Sequence, residues 1–205
     1  CRGGDSNTKN NSSFHGHDKI IPHLIAHFSS PAEINVQTKL GETPLMLALR
    51  QGNIEVVDAL LLKLTYADLL IRAADGSAAL FAAVHGGVLE LFVTVVDKAN
   101  AVGQASELVA MLDNEGRSVM LVAAAGGRTD MVGHLADNYN GNGSYCLTAK
   151  SCDLMGNTAL ICAAQAGKLE SVDILMKEGA DISKKNLQGR TALMEAALNG
   201  RLQVA

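Results

Sequence analysis

His23 and His27 have types and spacing that suit chemistry. Four residues apart on a helix, their rings share one face, and two imidazoles so placed can grip a metal. Only Asp18 stands near enough to complete a ligand set. The plainer reading, two surface or packing histidines on an end helix, needs no third ligand and is preferred. Cys146 and Cys152 border the Gly/Asn-rich stretch NYNGNGSYCLTAKS. A redox role requires a lowered thiol pKa. Neither has a CxxC partner or a neighbouring His, and Lys150 alone is weak support. The four cysteines fit no zinc spacing. Gly86-Gly87 and Gly126-Gly127 lack the lysine of a phosphate loop. The expectation is no catalytic residue, no cofactor and no metal.

The elements that must position these residues come from a different pattern. GNTALICAAQAG (156–167) opens and closes on glycine, eleven residues apart. GETPLMLALRQG, GSAALFAAVHGG, GRSVMLVAAAGG and GRTALMEAALNG repeat it, from Gly41, Gly76, Gly116 and Gly189. An alanine stands seven after the first glycine in every copy: Ala48, Ala83, Ala123, Ala163 and Ala196. The intervals between copies are 35, 40, 40 and 33 residues. Such a period means stacked helical units.

Each residue type in the unit has a physical task. The first glycine ends a turn that calls for positive φ. Thr43, Ser118, Thr158 and Thr191, two residues later, offer an oxygen to the free donors of a helix start. Ala78 offers none, so that helix end is expected to be weaker by about 0.5–2 kcal/mol. Pro44 suits a first helical position. Leu45, Leu80, Met120, Leu160 and Leu193 are the core anchors. The alanines let helices approach closely, and the second glycine closes the short helix. A second amphipathic helix follows, with Ile54, Val57, Leu60 and Leu61 on its apolar face in the first unit. Later units repeat this with Leu89, Phe92, Val95 and Val96, then Met131, Val132 and Leu135, then Leu169, Val172, Leu175 and Met176.

These units resemble the ankyrin repeat, whose first helix reads G-x-T-P-L-x-x-A-A-x-x-G. The resemblance covers roughly 20–205, with repeats starting near 38, 73, 113, 153 and 186. A degenerate half-repeat over 17–37 precedes them, with Ile20, Ile21, Leu24, Ile25 and Phe28 as its helix and Glu33-Ile34-Asn35-Val36 as its exit. The resemblance implies that such an acidic-apolar-Asn triplet can be a hydroxylation substrate, although Asn is also an ordinary turn residue there. Where the family often has His after the anchor, this chain has Met46, Phe81, Leu121, Ile161 and Met194. The second and third units match least well. Two longer connections interrupt the stack: Ala99 to Leu112, which could extend a helix, and Asn138 to Cys152, expected to be a loop. Residues 1–16 read as a polar, disordered lead. The fold class is therefore an all-α ankyrin solenoid with β-turn or hairpin connections.

Composition agrees. The chain is 48% hydrophobic but only 3% aromatic, which suits closely packed helices rich in small residues. A net charge of −4 without a basic block argues against nucleic acid. No run of eighteen apolar residues suggests a membrane span. The start at Cys1 and the finish in an apolar helical pattern read as a piece of a longer protein. The cysteine usage points to the cell interior, cytoplasmic with the nucleus open, and a monomer is the default.

The resemblance also implies a concave side, made of short helices and turn tips, on which family members hold other proteins. Three columns of the repeat reach that side. One after the first glycine come Glu42, Ser77, Arg117, Asn157 and Arg190; six after, Leu47, Ala82, Val122, Cys162 and Glu195; nine after, Arg50, His85, Ala125, Gln165 and Leu198. The tips add Asp113, Glu115 and Asp153 as an acidic edge. The expected function is a scaffold or adaptor that seats an apolar ridge of a partner at Ala82, Val122, Ala125 and Cys162, with basic partner residues on the acidic tips. The alternatives are a targeting or regulatory segment of a larger enzyme, such as a protein kinase or ubiquitin ligase, and a mechanical spacer.

Overall fold

The computed structural model describes residues 20–28, 30–139, 151–201 and 203–204. The expected disordered lead, the middle of the 138–152 connection and Cys146 lie outside the described residues. In chain order, α1 (Ile20–His27) and α2 (Pro31–Ile34) come first. The first glycine-bounded unit is α3 (Pro44–Gln51), α4 (Ile54–Leu61) and the short α5 (Tyr66–Leu69). The second is α6 (Ala79–Gly86), α7 (Leu89–Asn100) and the short α8 (Ala105–Val109). The third is α9 (Val119–Gly126) with α10 (Thr129–Tyr139), and the fourth α11 (Ala159–Ala166) with α12 (Leu169–Lys177). The fifth begins with α13 (Ala192–Leu198).

The first helices start where their caps are. Thr43, Ser118, Thr158 and Thr191 accept backbone N–H bonds from Met46, Leu121, Ile161 and Met194 at 3.3–3.4 Å. Ala78 makes no such side-chain bond. Four of these helices end on a glycine in the left-handed region, Gly52, Gly87, Gly127 and Gly167, with φ between +66° and +77°. α13 instead ends at Asn199, and Gly200 follows with φ +65°.

Two layers result. α3, α6, α9, α11 and α13 pack each on the next, and α1, α4, α7, α10 and α12 do the same behind them. The anchors Leu45, Leu80, Met120 and Leu160 of the first helices are buried in one core with Val57, Phe92, Val132 and Val172 of the second helices. Each such side chain contributes about 1.5–3 kcal/mol by leaving water. The column where the sequence lacks histidine is core in four units, with Met46, Phe81, Leu121 and Ile161 buried, while Met194 in the fifth is exposed.

Several expected core residues are not buried. Ile54 (39% exposed) falls off the stripe of Val56, Val57, Leu60 and Leu61. Leu193 (58%) has no second helix of its own unit over it among the described residues. Met176, Ile20 and Leu24 are also exposed, being on the outer sides of α12 and α1. The Ala99–Leu112 connection prolongs α7 only as far as Asn100. A turn at Gly103, φ +72°, separates it from α8, which buries Ala105, Leu108 and Val109. The sequence reading missed α5, whose start carries a capping box of Thr65 and Asp68. α2 makes Glu33 and Ile34 helical and buries Ile34. Asn35 donates its side-chain amide to Asp68 Oδ1, tying the end of α2 to α5.

The tips form a ladder of backbone bonds between units. Ala74, Asn114, Leu154 and Leu187 each donate N–H to a carbonyl of the preceding tip, those of Leu40, Asp75, Glu115 and Met155, at 2.8–2.9 Å. Glycine at the tip makes the approach possible. A β-carbon on Gly41 would stand 2.8 Å from the Ala74 nitrogen, and φ there is +74°.

Candidate functional site

The first-helix layer and the tips present one face. Its charges are largely settled within each unit. Arg50 pairs with Glu42, which is itself buried. Arg117 donates Nε–H to Asp113 Oδ2 at 2.7 Å and reaches Glu115 at 3.2 Å. Arg190 reaches Glu195 at 3.4 Å. Burial disfavours the Arg117 charge, but the Asp113 hydrogen bond and charge, with Glu115 and Asp75 behind them, hold its pKa above the ordinary value. Burial also opposes ionisation of Asp75, yet bonds from Ser77 and the charge of Arg50 keep its carboxyl below the usual range.

The acidic edge expected at the tips is mostly absent. Asp113 is buried, and its carboxylate accepts from the backbone of Glu115 and Arg117 as well as from the Arg117 side chain. Asp153 accepts from the backbone of Met155 and Asn157 and from the Asn157 amide. Both carboxylates hold turns together, and Asn186 does the same work in the fifth unit. Of the three tip acids, Glu115 alone is exposed.

His85, Arg117, Val122, Ala125 and Cys162 do come together. With Val84, Leu121 and Arg128 they line a cleft of about 280 Å³ that mixes small apolar side chains with two arginines. Ala82, expected in the same groove, is 3% exposed and belongs to the core beneath. Glu42, Leu47 and Arg50 stand apart on the first unit, and Asn157, Gln165 and Arg190 line a separate cleft. The Cys162 thiol is pushed up to about 12, chiefly by burial and then by the Asp153 charge, with Arg117 opposing. It packs as a neutral side chain.

Arg128 was not legible as a wall residue. Its Nη2 donates to the His85 carbonyl at 2.9 Å and its Nε to the Val84 carbonyl at 3.2 Å. It thus satisfies the end of α6 from the next unit, where a cation is also favoured by the helix dipole. Arg201 repeats this on the Gln165 carbonyl at 3.1 Å. The available signal was a cation directly after the closing glycine in three units, Arg128, Lys168 and Arg201.

Among the described histidines, His23 and His27 stand exposed on α1. His27 Nδ1 lies 2.8 Å from the His23 carbonyl, and the two rings meet edge-on at 4.9 Å. His134 meets Phe92 edge-on at 5.9 Å, joining α10 to α7. Among the described residues no three His, Cys, Asp or Glu side chains gather as a metal site.

A family model described as Ankyrin repeats (3 copies) matches residues 11–102 and 145–205. The chain belongs to the ankyrin-repeat family. Ankyrin repeats are in general protein–protein interaction modules and typically non-catalytic. The search of curated proteins finds no match. The third unit falls between the matched stretches, yet it keeps the Ser118 cap, the left-handed Gly116 and Gly127, and the tip bond to the second unit. No helix among the described residues is long and apolar enough to cross a membrane. Both clefts lie on the face made by the first helices and the tips.

Proposed function

We propose that this ankyrin solenoid is a non-enzymatic binding module, a scaffold or adaptor, that holds another protein on its concave face. The observation that carries the reading is the cleft formed by α6, α9 and α11. Val122, Ala125 and Cys162 line it with small side chains of apolar character, so it suits a protruding apolar side chain of a partner. Arg117, already paired with Asp113 and Glu115, and Arg128, already bonded to the Val84 and His85 carbonyls, line the cleft with N–H donors, which suits carbonyl groups of the partner beside that side chain better than the basic residues suggested by the sequence. The high pKa of Cys162 supports a packing role and opposes a nucleophilic one. The reading takes 17–205 as one binding unit, monomeric, working in the cytoplasm.

The test is capture from a native lysate by the chain and by its Val122→Arg variant, both first checked for helical content and melting. The expected result is a protein retained by the former and lost by the latter. Equal retention by both would exclude this cleft.

A further inference from the structure

We infer that the fourth and fifth units carry a second subsite, for an uncharged hydrogen-bonding side chain of the partner, a carboxamide above all. The inference rests on the reading of the concave face as the protein-binding side. A cleft of about 290 Å³ opens between α11 and α13, beyond the apolar one in the stack. Asn157, Gln165, Asn186, Gln188 and Asn199 surround Glu195 in it. In the column where earlier units have Leu47, Ala82, Val122 and Cys162, the fifth has this carboxylate, with a side chain only 4% exposed.

The hydrogen bonds show what is taken and what is left. Asn186 Nδ2 donates to Asn157 Oδ1 at 2.9 Å and to Glu195 Oε1 at 3.1 Å. The Arg190 guanidinium reaches the same Oε1 at 3.4 Å. Glu195 Oε2 has only a 3.5 Å contact from Asn199 Nδ2, whose shorter bond goes to the Glu195 carbonyl at 2.8 Å. A carboxylate offers about four acceptor positions, so capacity remains at Oε2. The side-chain amides of Gln165 and Gln188 make no hydrogen bond to another described residue.

The vacant capacity wants a donor, and its charge balance selects which kind. Arg190 already offsets much of the Glu195 charge, so a second cation gains little attraction against its cost of leaving water. A neutral donor leaves water at a lower cost. A carboxamide supplies donors and an acceptor together, so it satisfies Oε2 while bonding to Gln165 or Gln188. First helices stack about 8–10 Å apart, and an extended chain advances about 3.3 Å per residue. The first cleft centres on α9 and the second lies between α11 and α13, about one and a half spacings or roughly 12–15 Å away, so a partner segment crossing both carries its amide about four residues from its apolar side chain.

Phage-displayed random 12-residue peptides, panned on the whole chain, test this. The expected result is enrichment of peptides with an apolar residue and an Asn or Gln at that separation. Val122→Arg abolishes their binding. Gln165→Leu, on an exposed position, weakens an enriched peptide about tenfold and removes the amide preference while the apolar preference stays. Glu195→Gln does likewise. Enrichment of Lys or Arg at that place, or of the apolar residue alone, would overturn the subsite and leave the protein-binding reading intact. Peptides indifferent to Val122→Arg and Gln165→Leu, or no enriched peptides, would count against both.

Discussion

Gly86 of α6 faces the backbone carbonyl of Leu49 in α3 so closely that a β-carbon would overlap it. The equivalent Gly126 of α9 has nothing nearer its β-position than the flexible Arg128 side chain at 3.6 Å. Two Gly-Gly pairs that look alike in sequence thus do different work. Gly86→Ala should push α6 off α3 and cost about 1–3 kcal/mol. Gly126→Ala should gain about 0.5–1 kcal/mol, because alanine loses less entropy in a helix. Urea unfolding of the two variants side by side checks the contrast.

The cation after the closing glycine joins neighbouring units. Arg128→Met keeps the stem but removes both bonds to the end of α6. A loss of about 1–2 kcal/mol is expected, read as a lower urea midpoint. An unchanged midpoint would mean that water caps α6 as well as Arg128 does.

Ser171 stands in a column whose other members are Val56, Leu91, Met131 and Val204. It is 0% exposed, and its hydroxyl has no hydrogen-bond partner. Ser171→Ala removes a desolvated polar group without opening a large space. Stability should rise by about 1 kcal/mol, and a calorimetric melt would show it.

Cys162 gives the alkaline behaviour a sign. Burial, followed by Asp153, raises its pKa from 9.0 to about 12. The unfolded chain therefore sheds this proton first. The stability from the neutral thiol is whole below the unfolded value of 9.0 and is lost as pH climbs through about 12. Cys162→Ala should flatten that part of the decline in urea melts across the same range. Native-state alkylation mapped by mass should find Cys162 slow at neutral pH.

The fold was legible because its signals are local and repeated. Gly41, Thr43, Pro44 and Leu45 each state one constraint, and five copies remove ambiguity about the period. The site was legible only in part. The columns located Val122 and Cys162 at the same cleft, since helical register is arithmetic. They misplaced Ala82, whose burial depends on the neighbouring units. They misread Asp113 and Asp153, because an aspartate that closes a turn and one that greets a partner look the same in sequence. α5 and α8 were missed or merged for a similar reason: short helices of four and five residues are held by packing, as at Leu69 and Leu108, more than by pattern.

The central claim is that a partner lies on the concave cleft. A photo-crosslinking benzophenone amino acid at Ala125, in that cleft, compared with one at Leu62, 86% exposed at the end of α4, tests it most directly. Both chains would be irradiated in native lysate after their folding is confirmed. The expected result is a discrete adduct from position 125 that Val122→Arg abolishes, and none from position 62. An adduct from 62 with none from 125 would contradict the claim and move the binding surface to the second-helix layer.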